Sequence, residues 1–384
     1  MTTSPFLVDS TEEDNQLMPE LTPPGAVIST NSQLHERQEY GSAEGSAQPA
    51  RPPEKQLRRD IMVIVIVLIA MYAAVNIIAI AILNIALMLS PEFQSAMLSG
   101  AAGAQAFLEG PQLNQLAAEL TRKHQGAMLV VTGLVTLPLI LIIRGRMAFT
   151  HDLVAVNQKP RPASIIKIFT LMLGVGFLVS LIPLALDPLL ENMGFSLREF
   201  MDQGIMAIIA SPIGILYVVV IGPIIEEMIF RGAILNRLAR HGANFAIIVS
   251  ALLFGLYHGI LFQSFSAFFG GIIFGYVALR YSLKWAMLLH ILNNAISVGM
   301  YLLENANIGT ADILSLSFAG IFIIASVVII IMKRGKISAV RQAGLPVTPR
   351  PYHVAFSSPS LIVYIVLFTA LGVVTMVLPG TLAG

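Results

Sequence analysis

The chain has 384 residues, 56% of them hydrophobic and only 12% charged, with a mean hydropathy of +0.78, which rules out an ordinary soluble domain and points to membrane helices. Its formal net charge of +1 leaves no electrostatic footprint for nucleic acid. There is no cysteine, so disulfides, thiolate catalysis and cysteine-ligated metals are excluded, and any metal would need His, Asp or Glu.

Residues 1–60 are rich in Pro, Ser, Gln and Glu and show no helical or strand period, the composition of a disordered tail. The end of this tail, Arg51 to Arg59, is basic and abuts the first apolar run. That sets it on the cytoplasmic side by the positive-inside rule. Eight to nine candidate spans follow, at about 61–89, 126–143, 168–186, 205–225, 243–258, 265–280, 283–303, 313–332 and 361–378. The segment 90–125 is read as an outer loop with a short amphipathic helix at Gln112–Lys123. Arg144, Arg146, Lys159, Arg161 and Lys167 mark the next loop as cytoplasmic, and the outer loop 187–204 is mostly acidic. The fifth and sixth runs are short and joined by only Gly259–Ser264, so either fits a re-entrant segment. Gly271-x-x-x-Gly275 in the sixth lets another helix approach closely. No internal repeat of the transporter kind is visible. The expected fold class is all-α, a polytopic bundle of about 8–9 membrane helices with its N-terminus in the cytoplasm. It divides into a tail (1–60), two N-terminal spans (61–164), a core (165–332) and a basic loop with a last span (333–384).

The chemistry gathers in three places. Glu226 and Glu227 sit side by side after the fourth apolar run, and Arg231 follows. On a helix Glu227 and Arg231 stand at i, i+4 and can pair, whereas Glu226 points about 100° away and is left free. Gly222-Pro223 before them either kinks the helix or opens a new one. In the second case both carboxylates lie at a helix N-terminus. Adjacent carboxylates in hydrocarbon are expensive and usually functional, although charge pairs at a membrane boundary are common. His35, His124, His151, His241 and His353 lie in polar stretches and need no explanation. His258 and His290 lie in apolar runs, and Asn294 follows His290 one turn later on the same face. Either histidine alone is more often a packing residue. Together, a free carboxylate, two imidazoles and an amide are what amide hydrolysis needs. Glu and His move the proton between water and the leaving amine, and His and Asn donate to the oxyanion.

In these three motifs the chain resembles the CPBP family of intramembrane proteases, also called the CAAX protease/bacteriocin-processing or Abi family. The motifs are Glu226-Glu227-x-x-x-Arg231, Phe254-x-x-x-His258 and His290-x-x-x-Asn294. The resemblance covers about residues 168–332. It implies that Glu226 activates water with help from His258, that His290 and Asn294 stabilise the oxyanion, and that Glu227, Arg231 and Phe254 support the site. Glu226, His258 and His290 could supply a His₂Glu zinc set, but His-Glu-x-x-His is absent. The expectation is chemistry that needs no cofactor, with one zinc ion as the alternative. The expected substrates are peptides or membrane-protein tails, handled in the cell membrane by a multi-pass protein. A non-catalytic scaffold or peptide-toxin immunity protein of the same family is the second reading, and a proton-coupled transporter the third.

Overall fold

The computed structural model describes residues 54–192, 196, 205–306, 308–342 and 350–377, all within one unit, Arg51–Gly384. The expected tail therefore lies outside the described residues up to residue 53, and from Glu54 onward the chain is already helical. The described residues form helices and no strand.

Helix α1 (Glu54–Leu89) has 36 residues, about 54 Å at 1.5 Å per residue, longer than a bilayer core of about 30 Å. Its first half buries Ile61, Ile64, Leu68 and Met71, whereas its second half exposes Ile77, Ile80, Ile85 and Met88. The first half packs in the bundle, and the second presents its apolar side chains to lipid. Two short helices, α2 (Pro91–Leu98) and α3 (Ala101–Glu109), lead into α4 (Pro111–Arg144). Gln112–Lys123 is thus helical, but as the opening turns of a long span and not as a separate surface helix. Pro111 suits a first turn, and no proline interrupts the chain until Pro138. Helix α5 (Pro162–Glu191) likewise runs on through Pro183 and Pro188, past the Leu186 boundary read from the sequence.

The remaining elements are α6 (Pro212–Ala239), α7 (Ala243–Tyr257), α8 (Leu261–Arg280), α9 (Leu283–Glu304), α10 (Ala311–Gln342), α11 (Arg350–Phe356) and α12 (Pro359–Val377). Among the described residues seven helices are long and apolar enough to cross a membrane, or eight if α11 and α12, bent by 62°, make one span. Of the two short segments, α8 is full length at 20 residues, and α7 at 15 is the short one. α7 and α8 pack tightly against each other, and α5 lies against both α8 and α10.

Helix α6 corrects the sequence reading most. The fourth span was expected to stop near Ile225 and leave the glutamates at a boundary. Instead it continues to Ala239, so Glu226 and Glu227 lie at mid-span. Gly222-Pro223 starts no new helix. The winding is π-helical over Tyr217–Ile221 and Met228–Leu235, with α-helical Gly222–Glu227 between. In the π register the bonds run from i to i−5, as Gly222 N–H to Tyr217 O does here. Pro223, which has no N–H to give, falls where the π-helical segment passes into the α-helical one.

Candidate active site

The two glutamates of α6 meet different surroundings. Glu227 and Arg231 are fully buried, with Arg231 Nη1 2.9 Å from Glu227 Oε1. The Arg231 guanidinium stands 4.3 Å over the Phe254 ring and 5.4 Å from that of Phe274, a cation among desolvated aromatic faces. The space for it comes from Gly271. A Cβ there would lie 3.0 Å from Arg231 Nη2 and 3.1 Å from Ala251. The close approach expected of the glycine pair in α8 is therefore made around a buried charge.

Glu227 Oε1 also lies 3.0 Å from Nδ1 of His290. The His290 ring lies flat against Phe274 (centroids 4.5 Å, 21°) and edge-on to Phe254 (5.9 Å). These contacts leave Nε2 turned toward Glu226, 3.7 Å from its Oε2. Glu226 itself keeps 31% of its side chain exposed. The carboxylate beside it is buried and held through Oε1 by Arg231 and His290, and Glu226 is part-exposed.

His258 stands at the C-terminal cap of α7, where its Nδ1 lies 2.9 Å from Phe254 O. With the Nδ1 proton on that carbonyl, Nε2 is an acceptor. Gly259 follows at φ +64°, the left-handed position that ends a helix. α12 braces this turn, since Thr375 Oγ1 donates to Gly259 O at 3.1 Å and Tyr364 Oη to Leu253 O at 2.9 Å. His258 makes no ion pair with Glu226, so the imidazole closest to that carboxylate is His290. His258 was expected to assist Glu226, and His290 stands nearer to it. His290 is held by a carboxylate and a ring on two other helices, which spacing in the sequence does not show. Asn294 donates Nδ2–H to Val218 O at 2.9 Å and accepts from Asn293 Nδ2 at 3.3 Å.

Among the described residues no three of His, Cys, Asp and Glu are gathered so as to hold a metal ion.

Sequence reasoning missed Phe274, which stacks on His290, and Asp60. Asp60 is buried near the start of α1 and binds Arg237 Nε at 3.0 Å, His241 Nε2 at 2.8 Å, and Arg240. His241, which its polar stretch left without a special role, is thus one of the partners of Asp60. The available signal was a lone carboxylate directly before the first apolar run.

Residues 208–296 match the family model described as type II CAAX prenyl endopeptidase Rce1-like. No curated protein and no solved structure matches the chain. The matched segment starts just before α6 and ends just after Asn294, so it holds all three motifs, while α1–α5 and α10–α12 lie outside it. Over that segment, less than a quarter of the chain, the protein is similar to the Rce1-like domain of the CAAX proteases, and the segment lies within the helix bundle of an integral membrane protein.

Proposed function

We propose that the protein is an intramembrane endopeptidase of the cell membrane that hydrolyses peptide bonds with a water activated by Glu226. The observation that carries this is the contrast between the two glutamates. Glu227 is neutralised by Arg231 and bound to His290, and Glu226 beside it is part-exposed, 3.7 Å from His290 Nε2. A water taken up on the exposed side of Glu226 would lie beside His290 Nε2 as well.

In the reaction Glu226 takes a proton from that water as its oxygen attacks the scissile carbonyl. The tetrahedral oxyanion accepts from the second amide N–H of Asn294, the first being on Val218 O, and from His290 Nε2–H in the doubly protonated ring, whose Nδ1–H is on Glu227. Glu226 then returns the proton to the departing amine, and the C–N bond breaks. His258, with Nε2 as acceptor, serves the same proton traffic from the end of α7. The substrates are peptides or the tails of membrane-associated proteins. No step needs a metal.

Glu226→Gln keeps the shape and removes the base. It should lower cleavage by about 10²–10⁴-fold, the usual worth of general acid–base catalysis, with melting temperature unchanged. Membrane proteomes of cells carrying wild type or Glu226→Gln, compared for new termini, name the substrate. Identical sets of termini would leave the protein a scaffold.

A further inference from the structure

We propose that a groove between α5, α7 and α8 binds an anionic phospholipid, one acyl chain lying in the groove and the headgroup on the basic loop before α5. The groove has a volume of about 480 Å³, within the range of about 300–1,000 Å³ for small-molecule sites. Ile168 and Val175 of α5, Ile248 of α7 and Ile272 of α8 line it with further aliphatic residues, and Asn244 and Tyr276 supply its polar atoms. All of these six remain at least partly exposed, so the groove is open along its side. It faces hydrocarbon in a membrane helix bundle. Water has too few partners there to stay, and close packing demands an occupant.

The groove has a polar end. Asn244 opens α7, Tyr276 lies near the end of α8, and Ile168 lies near the start of α5. Val175 and Ile272 lie deeper, and Ile168 to Val175 is about 10 Å along a helix. At the polar end Asn157 ties the preceding loop to α8, its Nδ2 donating to Leu279 O and its backbone N–H to Tyr281 O, both at 2.8 Å. That loop and the helix starts beside it carry Lys159, Arg161, Lys167 and Lys284, all exposed. None of the four is in an ion pair among the described residues. No Asp or Glu occurs between residues 153 and 186 or between 243 and 303. An apolar slot under four uncompensated cations fits an acyl chain below an anionic headgroup.

The groove is separate from the catalytic residues. On α8, Ile272 and Tyr276 lie on the side opposite Gly271 and Phe274, from the helical period. Gly271 and Phe274 meet Arg231 and His290. The lipid therefore backs the helix whose front holds the site. This inference rests on the membrane fold and not on the protease reading, and its test reads binding in the inactive chain as well.

Wild type and Glu226→Gln are purified in detergent and melted with added phosphatidylglycerol, with phosphatidylcholine of the same chains, or with inorganic phosphate. Phosphatidylglycerol should raise the melting temperature of both by several degrees, phosphatidylcholine by much less, and phosphate not at all. Arg161→Glu with Lys167→Glu should remove the difference between the two lipids. Val175→Phe, which fills the groove, should blunt the response to both lipids; if one variant fails to fold, the other decides. Equal responses to the two lipids in wild type, or a phosphatidylglycerol effect that survives these changes, overturns the proposal. So does a farnesylated peptide that displaces the bound phospholipid, because the groove would then belong to substrate.

Discussion

Asn294 and Pro223 are 71 positions apart in the sequence, yet the structure couples them through one carbonyl. In the π register that starts at Tyr217, the partner of Val218 O would be the N–H of residue 223, following Gly222 N–H to Tyr217 O. Residue 223 is proline and has no N–H. Asn294 Nδ2 occupies that acceptor at 2.9 Å. Asn294→Ala alone should strand the carbonyl in an apolar bundle and cost about 1–3 kcal/mol. Pro223→Ala provides a backbone N–H, so in that background Asn294→Ala should cost no more than about 0.5 kcal/mol, the limit of ordinary additivity. The coupling between the two changes is then at least about 0.5–2.5 kcal/mol, roughly a two- to seventyfold shift in the unfolding equilibrium. The assay is a double-mutant cycle of reversible unfolding in mixed detergent, which needs no substrate. Strictly additive effects would refute the shared carbonyl and return Asn294 to a role in chemistry alone.

Three other changes probe the same core. Arg231→Ala leaves Glu227 buried and unpaired, at about 3–5 kcal/mol, whereas Arg231→Met with Glu227→Gln removes both charges and should recover most of that stability. Cleavage should stay lost in the double variant, because His290 Nδ1 no longer meets a carboxylate; an active double variant would contradict the orienting role. Gly271→Ala should destabilise by about 1–3 kcal/mol through overpacking against Arg231 and Ala251, and a melting temperature equal to wild type would show that the helices separate freely. Asp60→Asn should weaken the anchor of α1 on Arg237, Arg240 and His241 by about 3 kcal/mol, visible as a lower melting temperature and faster proteolysis of α1.

The sequence could show which carboxylate is paired, because i, i+4 spacing is local. Glu227 and Arg231 fall together on any helix, and Glu226 must point elsewhere. The course of α6 was not legible for the opposite reason. Gly222-Pro223 reads as a break in an α-helix, and no residue pattern signals that two π-helical segments carry the chain past it. The partners of His290 were hidden as well. Its spacing to Asn294 marks a face, but Phe274 and Glu227 reach that face from other helices. Asp60 and its partners lie about 180 positions apart, so only the packed bundle brings them together.

The site can be understood by asking what Glu227 does for its neighbour. A carboxylate at mid-membrane is costly to keep charged, and a catalytic one must also remain open to water. This bundle separates the two demands. Glu227 gathers the guanidinium and the imidazole, and Phe254, Phe274 and Gly271 shape a dry cavity around them. Glu226, one residue along and about 100° around the helix, inherits a site already fixed in charge and orientation. It faces the other nitrogen of the ring that Glu227 holds. The same ring thus links a buried, paired carboxylate to a part-exposed one, and in the proposed chemistry its rotation, set by Glu227 and Phe274, fixes where Nε2 stands relative to Glu226.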